Sequence, residues 1–267
     1  MLLFPSVVFS SIFFMAGIPD YKKEEELTFF PPILKFAVKF LLIPLSFCYI
    51  TVLYIYFFKT MVLMNLPNGT IVNIVIWYAA FSFILFIFAE IISKTEKTAY
   101  FYVKIMPKLI IPALIYMFYA LSIRIKSYGI TESRYFIIVV GAFLLYSMTY
   151  FSFWKNRRWG VIFSIFSIIA FLSLFSPFSS FSISKMSQSG RLEAILKKNS
   201  MISSNKIVHS ATISSNDKAE INEIYRYFST KHPNYKIKYL PDKFSNKDFK
   251  TVFGFEYSFY YDNRDES

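Results

Sequence analysis

The sequence predicts an all-α transmembrane helical bundle of five or six spans, followed by a small soluble α+β tail. Three observations predict it. Of the 267 residues, 55% are hydrophobic and 21% aromatic, only 17% are charged, and the mean hydropathy is +0.43. Soluble domains carry about 25% charged residues. The apolar residues fall in runs near or above the roughly 18 residues that cross a bilayer. After residue 178 those runs stop and the chain turns polar and charged. The organisation is therefore a membrane domain over 1–178 and a tail over 179–267.

The spans are drawn at about 2–18, 33–58, 71–92, 109–125, 135–153 and 159–175. The first lacks the basic n-region and small-residue cleavage site of a secretory signal, so it is read as a span. The second carries Lys35 and Lys39 at one end, where snorkelling places both ammoniums in the headgroups. Inside it, Pro44 removes one backbone donor and frees the carbonyl of Phe40, so a packing kink is expected. The buried-thiol reading is taken for the single cysteine, Cys48. One cysteine excludes an intrachain disulfide and a cysteine-rich metal site.

Between the second and third spans, LPNGT reads as a turn at 67–69 with Thr70 as the next N-cap. Asn73, one turn further, can hydrogen-bond across helices. Glu90 is the only carboxylate within the six segments. Intramembrane acids are functional candidates, but Lys94 stands at i+4 to pair with this one. Between the fourth and fifth spans lies RIKSYGITESRY, 124–135. Gly129 suits the left-handed end of a helix, Thr131 an N-cap, and Glu132 the first turn that follows. Tyr128 and Tyr135 suit an aromatic belt. The favoured reading is a helix join; the functional alternative is an anion or headgroup site made by Arg124, Lys126 and Arg134.

In the tail, 187–198 and 217–230 have helical spacing of apolar residues, the second with Asp217 and Glu220 as a capping box. YKIKYL, 235–240, alternates as a half-buried strand, and VFGFEY, 252–257, is a second strand candidate. His209 and His232 stand without the sequence neighbours that a metal site or a catalytic triad needs. No phosphate-cradling loop or dinucleotide fingerprint is present. No cofactor, metal ligand or catalytic residue is assigned.

The net charge of +12 does not imply nucleic acid, because the cations sit between apolar runs or are interleaved with acids. The loops joining spans one–two, three–four and five–six hold nine Lys and Arg residues, the opposite loops four. The richer set faces the cytoplasm by the positive-inside rule. The N-terminus, the 124–134 turn and the tail are then extracytoplasmic.

Several ordered pieces resemble a known family. They are LLIPLSFCYITVLYIY at 41–56, LPNG at 66–69, RIKSYGITESRY at 124–135 and ISKMSQSGRLEAIL at 183–196. Together they resemble the bacterial multi-pass membrane proteins catalogued as domain of unknown function 4153. The resemblance implies an inner-membrane location and no catalytic residues. Family members resemble one another in having several helices before this region, whereas this chain starts at Met1 inside apolar sequence. The resemblance thus implies a truncated or split reading frame, with upstream helices or other membrane subunits as partners beside the lipid bilayer.

The leading expectation for function is a non-enzymatic envelope anchor or interaction protein. A transport or channel component would use Glu90, Asn73 and the Pro44 kink. An enzyme acting on lipid or envelope polymer at the outer face would centre on Arg124 and Arg134.

Overall fold

The computed structural model describes residues 30–63, 69–154, 157–175, 177–203, 206–209, 213–241 and 244–257. The expected span at 2–18 and most of the LPNGT turn lie outside them. Among the described residues, four helices are long and apolar enough to cross a membrane. They are α1 (Pro32–Val62), α2 (Gly69–Ile92), α3 (Lys97–Tyr128) and α4 (Glu132–Phe153). A fifth apolar helix, α5 (Trp159–Leu174), has 16 residues. It rises about 24 Å, somewhat less than the roughly 30 Å of a hydrocarbon core. Its two ends nonetheless reach both ends of α4. Trp159 packs on Phe151 at 4.7 Å, and Tyr135 donates to Ser173 Oγ at 3.4 Å and to the Phe178 carbonyl at 2.6 Å.

The helices run alternately up and down because short turns join them. The α2–α3 pair is the most extensive, and α4 and α1 pack against it. The core repeats every three or four residues, as in Val75, Ala79, Ser82, Phe86 and Ala89 of α2 facing Val103, Met106, Ile110, Ala113 and Met117 of α3. Small residues let these two backbones approach. The opposite faces of α1 and α5 are apolar and exposed, as lipid contact requires.

Two membrane-domain expectations are corrected. The fourth segment begins at Lys97 rather than 109. Ala99, Tyr102, Val103 and Met106 bury one face of the added turns while Lys104 and Lys108 stay exposed, so these cations sit on a one-sided helix rather than in a loop. Cys48 is exposed on the outer face of α1, not packed. The Pro44 feature takes a specific form. Residues Ala37–Leu42 are π-helical, and the Ile43 N–H bonds to the Val38 carbonyl. The wider turn accommodates a residue without an N–H just downstream.

The tail starts with α6 (Ser180–Lys198), capped by the Ser179 hydroxyl accepting from the Ser182 N–H. Strands β1 (Ile202–Ser203) and β2 (Lys206–Ile207) pair antiparallel, with Ile202 opposite Ile207. Helix α7 (Ser215–Lys231) and a short α8 (Phe249–Phe253) complete it. A second core, separate from the first, gathers Leu192, Leu196, Ile221, Ile224, Phe228, Phe249 and Phe253.

Both strand expectations in the tail are corrected. In 235–240, Tyr235 stacks flat on Phe228 at 5.1 Å and Tyr239 takes a φ of 73°, which breaks an extended run. In 252–257, Phe249 and Phe253 sit one helical turn apart in the core, and Gly254 ends α8 with a φ of 81°. The α7 cap is Ser214, whose hydroxyl accepts from the Asp217 N–H. Asp217 is thereby freed to bind Lys198 at 2.9 Å and Asn199 at 3.0 Å.

Candidate functional site

The most developed polar constellation lies where the tail meets the turn between α3 and α4. Gly129 ends α3 with a φ of 68°. A Cβ there would stand 2.9 Å from Gln188 Nε2 and 3.2 Å from Ser187 Oγ. Glycine is thus required twice, by conformation and by the approach of α6. The Ile130 N–H donates to Ser187 Oγ at 2.8 Å. Gln188 Nε2 donates to the carbonyls of Tyr128 at 3.0 Å and Ile130 at 3.2 Å. Arg191 donates to the Tyr128 carbonyl at 3.0 Å and pairs with Glu220 at 3.2 Å. The backbone of 128–130 therefore obtains partners from one face of α6, spaced at i, i+1 and i+4.

One turn on, Glu132 anchors α7. Its Oε1 accepts from Ser184 at 2.9 Å, from Tyr227 at 2.5 Å and from His232 Nε2 at 2.7 Å. An ionised carboxylate accepts only, so it fixes the proton on His232 Nε2. Burial, followed by the Glu132 contact, pushes the Tyr227 phenol above its ordinary range, so Tyr227 stays a neutral donor. The His232 side chain is only 7% exposed. The sequence view of His232 as isolated is thus corrected, because its partner stands 100 residues earlier. Serine, histidine and carboxylate suggest hydrolytic chemistry. Ser184, however, is 0% exposed and also donates back to the Phe181 carbonyl at 3.3 Å, so it is closed to a substrate. The arrangement is a clasp.

The expected anion-site cations are built into the same end. Arg134 donates to the carbonyls of Tyr128 and Gly129 at 3.3 and 2.9 Å, and its guanidinium lies 5.5 Å from the Tyr128 ring. Arg191 approaches that ring at 5.8 Å. Arg124 lies against Gly69, where any side chain would collide with the guanidinium. Thr131 is the N-cap of α4 by position, but its hydroxyl makes no capping bond. The turn, α6 and α7 surround a cavity of about 570 Å³ lined in part by Tyr128, Thr131, Arg226, Tyr227 and Lys231.

The candidate transport residues are not brought together. Asn73 is exposed near the start of α2, and Glu90 lies near its other end, roughly 25 Å away at about 1.5 Å per residue. Glu90 pairs with Arg157 at 2.9 Å rather than with Lys94. Pro44 is exposed on α1. The π-helical turn before it precedes a buried hydroxyl cluster that was not foreseen. Tyr78 donates to the Ser46 carbonyl at 2.8 Å, and Tyr102 lies 3.4 Å from Ser46 Oγ. Ser82 Oγ is fully buried without a well-formed hydrogen bond. Among the described residues, no cluster of His, Cys, Asp or Glu could hold a metal ion.

Fold and site together define a membrane protein whose polar tail is clasped onto the turn between two apolar helices. The chain belongs to the family Domain of unknown function (DUF4153), whose model matches residues 1–199. The match takes in both the turn and the whole of α6, and ends at the α6 C-terminus. An uncharacterized protein of Pasteurella multocida (strain Pm70) is 24% identical over 152 residues, covering 55% of this chain and 26% of that protein. The matched part thus spans about a quarter of that relative's length. No solved structure matches.

Proposed function

We propose that the protein is an integral inner-membrane envelope anchor, non-enzymatic, whose bundle over 1–178 orients the tail over 179–267 at the extracytoplasmic face. One observation carries this reading. The tail does not hang from a linker but grips the 128–132 backbone and Glu132 through α6 and α7. A rigid junction suits a protein that presents a surface in a fixed orientation to an envelope partner or another membrane subunit. The side is inferred from the richer cation content of the loops at the opposite end.

The test uses a Cys48→Ser protein with Ser203→Cys and a membrane-impermeant maleimide on intact cells. Labelling is expected. Protection that disappears on lysis would overturn the orientation and with it the envelope role.

A transport or channel component is the second reading, favoured by the Ser46–Tyr78–Tyr102 hydroxyls beside the unbonded Ser82 Oγ. Ser82→Ala would then abolish a solute or proton flux in proteoliposomes, whereas an unchanged flux removes this cluster from consideration.

A further inference from the structure

The cavity at the seam has a composition that the clasp does not use. Its rim holds Arg226 and Lys231 on the exposed side of α7. Neither has an ion-pair partner among the described residues. Two further cations at this end are engaged: Arg134 by two carbonyls, Arg191 by a carbonyl and Glu220. Thr131 lines the cavity, and its hydroxyl does not cap its helix.

Two carboxylates lie nearby. Glu132 receives three donors, and Glu223, which also lines the cavity, lies 3.7 Å from Arg191. Beside the Tyr128 ring the lining therefore offers two cations and the Thr131 and Thr230 residues against the single carboxylate of Glu223. Such a set binds an oxyanion with several acceptor oxygens. A volume of about 570 Å³ is that of a small-molecule site. Its position narrows the class further. The 129–131 turn joins two membrane-crossing helices, so the cavity opens at the depth of the headgroups, where the abundant oxyanion is phosphate.

We propose that this seam cavity binds a phosphate ester, held by Arg226, Lys231 and the Thr131 hydroxyl. The ester is the headgroup of an anionic phospholipid or a small soluble phosphate ester of the same chemistry. The site rests on the docked tail of the proposed function, because α7 supplies one wall and the membrane turn the other.

The experiment is calorimetric titration of the full chain, purified in a neutral detergent, with two probes. One is dihexanoyl-phosphatidylglycerol and the other glycerol 3-phosphate, with dihexanoylglycerol as the phosphate-free control. Saturable binding of a phosphate probe is expected, weakened at least about tenfold in the Arg226→Ala/Lys231→Ala protein, as loss of charge-assisted hydrogen bonds implies. Tighter binding of the lipid probe assigns the site to a headgroup; binding of glycerol 3-phosphate alone assigns it to a soluble ester. The proposal is overturned if neither phosphate probe saturates, if the double variant binds unchanged, or if dihexanoylglycerol binds equally well. An Ile130→Cys/Ser187→Cys disulfide, formed in the same preparation, separates failure of the ligand site from failure of docking.

Discussion

The two ends of the bundle handle charge in opposite ways. At the 93–96 end, each acid finds a cation elsewhere within the bundle. Glu90 pairs with Arg157, and Glu96 with Lys35 at 3.1 Å and Lys39 at 2.7 Å. These pairs are partly exposed and close the bundle on itself. At the 129–131 end, Glu132 finds its partners in α6 and α7, and the turn's carbonyls are bonded by Gln188 and Arg191. One end pairs its acids within the bundle; the other is a platform that needs the tail to satisfy its polar groups. Exposed ion pairs contribute little, whereas buried donors left without acceptors are costly. The asymmetry is therefore energetic as well as geometric.

Gly129→Val should break the platform most severely. It forces a β-branched residue to a φ of 68° and drives atoms into Gln188 and Ser187. Strain of this kind costs about 1–3 kcal/mol before any collision is counted. The tail should become protease-sensitive while the bundle still inserts. Gly160→Ala on α5, where a Cβ meets nothing within 4 Å, should leave both unchanged.

Glu132→Ala comes next. It strands the Ser184, Tyr227 and His232 donors, at about 1–3 kcal/mol for a buried unsatisfied group. Thermal unfolding in detergent should shift down clearly, and Glu132→Gln, which keeps an acceptor oxygen, should fall between. Glu90→Gln tests the other end. Both partners are partly exposed, so the loss should be about 1 kcal/mol or less, with the tail still docked. Release of the tail by Glu90→Gln would show that the ends are coupled and would break the comparison.

The smallest effect concerns pH. Asn199 and then Lys198 hold the Asp217 carboxyl below its ordinary range. A carboxyl lowered in the folded state stabilises above its unfolded value, and that contribution fades as pH falls through the lowered value. Tail stability should therefore decline on acidification into the range below about pH 4, the ordinary Asp value. In Asp217→Asn that part of the decline should be absent, as read by circular dichroism against pH.

The membrane class was legible because apolar run length is a direct consequence of bilayer thickness. Positions of Gly129, Thr131 and Glu132 at the α3–α4 turn were legible too, since helix ends are specified locally. What Glu132 binds was not. Tyr227 and His232 lie 95 and 100 residues away, and nothing near them in sequence encodes that contact. The tail strands were misread because aromatic residues satisfy both alternating and helical spacing over a few positions. Core packing of Phe249 and Phe253 chose the helix. The π-helical turn was hinted at by Pro44, but a proline announces a disturbed helix without stating which kind.

The central claim, that the tail is clasped to the turn between α3 and α4, is tested most directly by a disulfide. In a Cys48→Ser background, Ile130→Cys and Ser187→Cys replace residues joined by a 2.8 Å hydrogen bond from the Ile130 N–H. After mild oxidation in native membranes, both thiols should be lost to a polyethylene-glycol maleimide and recovered on reduction. Two thiols that stay fully reactive after oxidation would contradict the clasp.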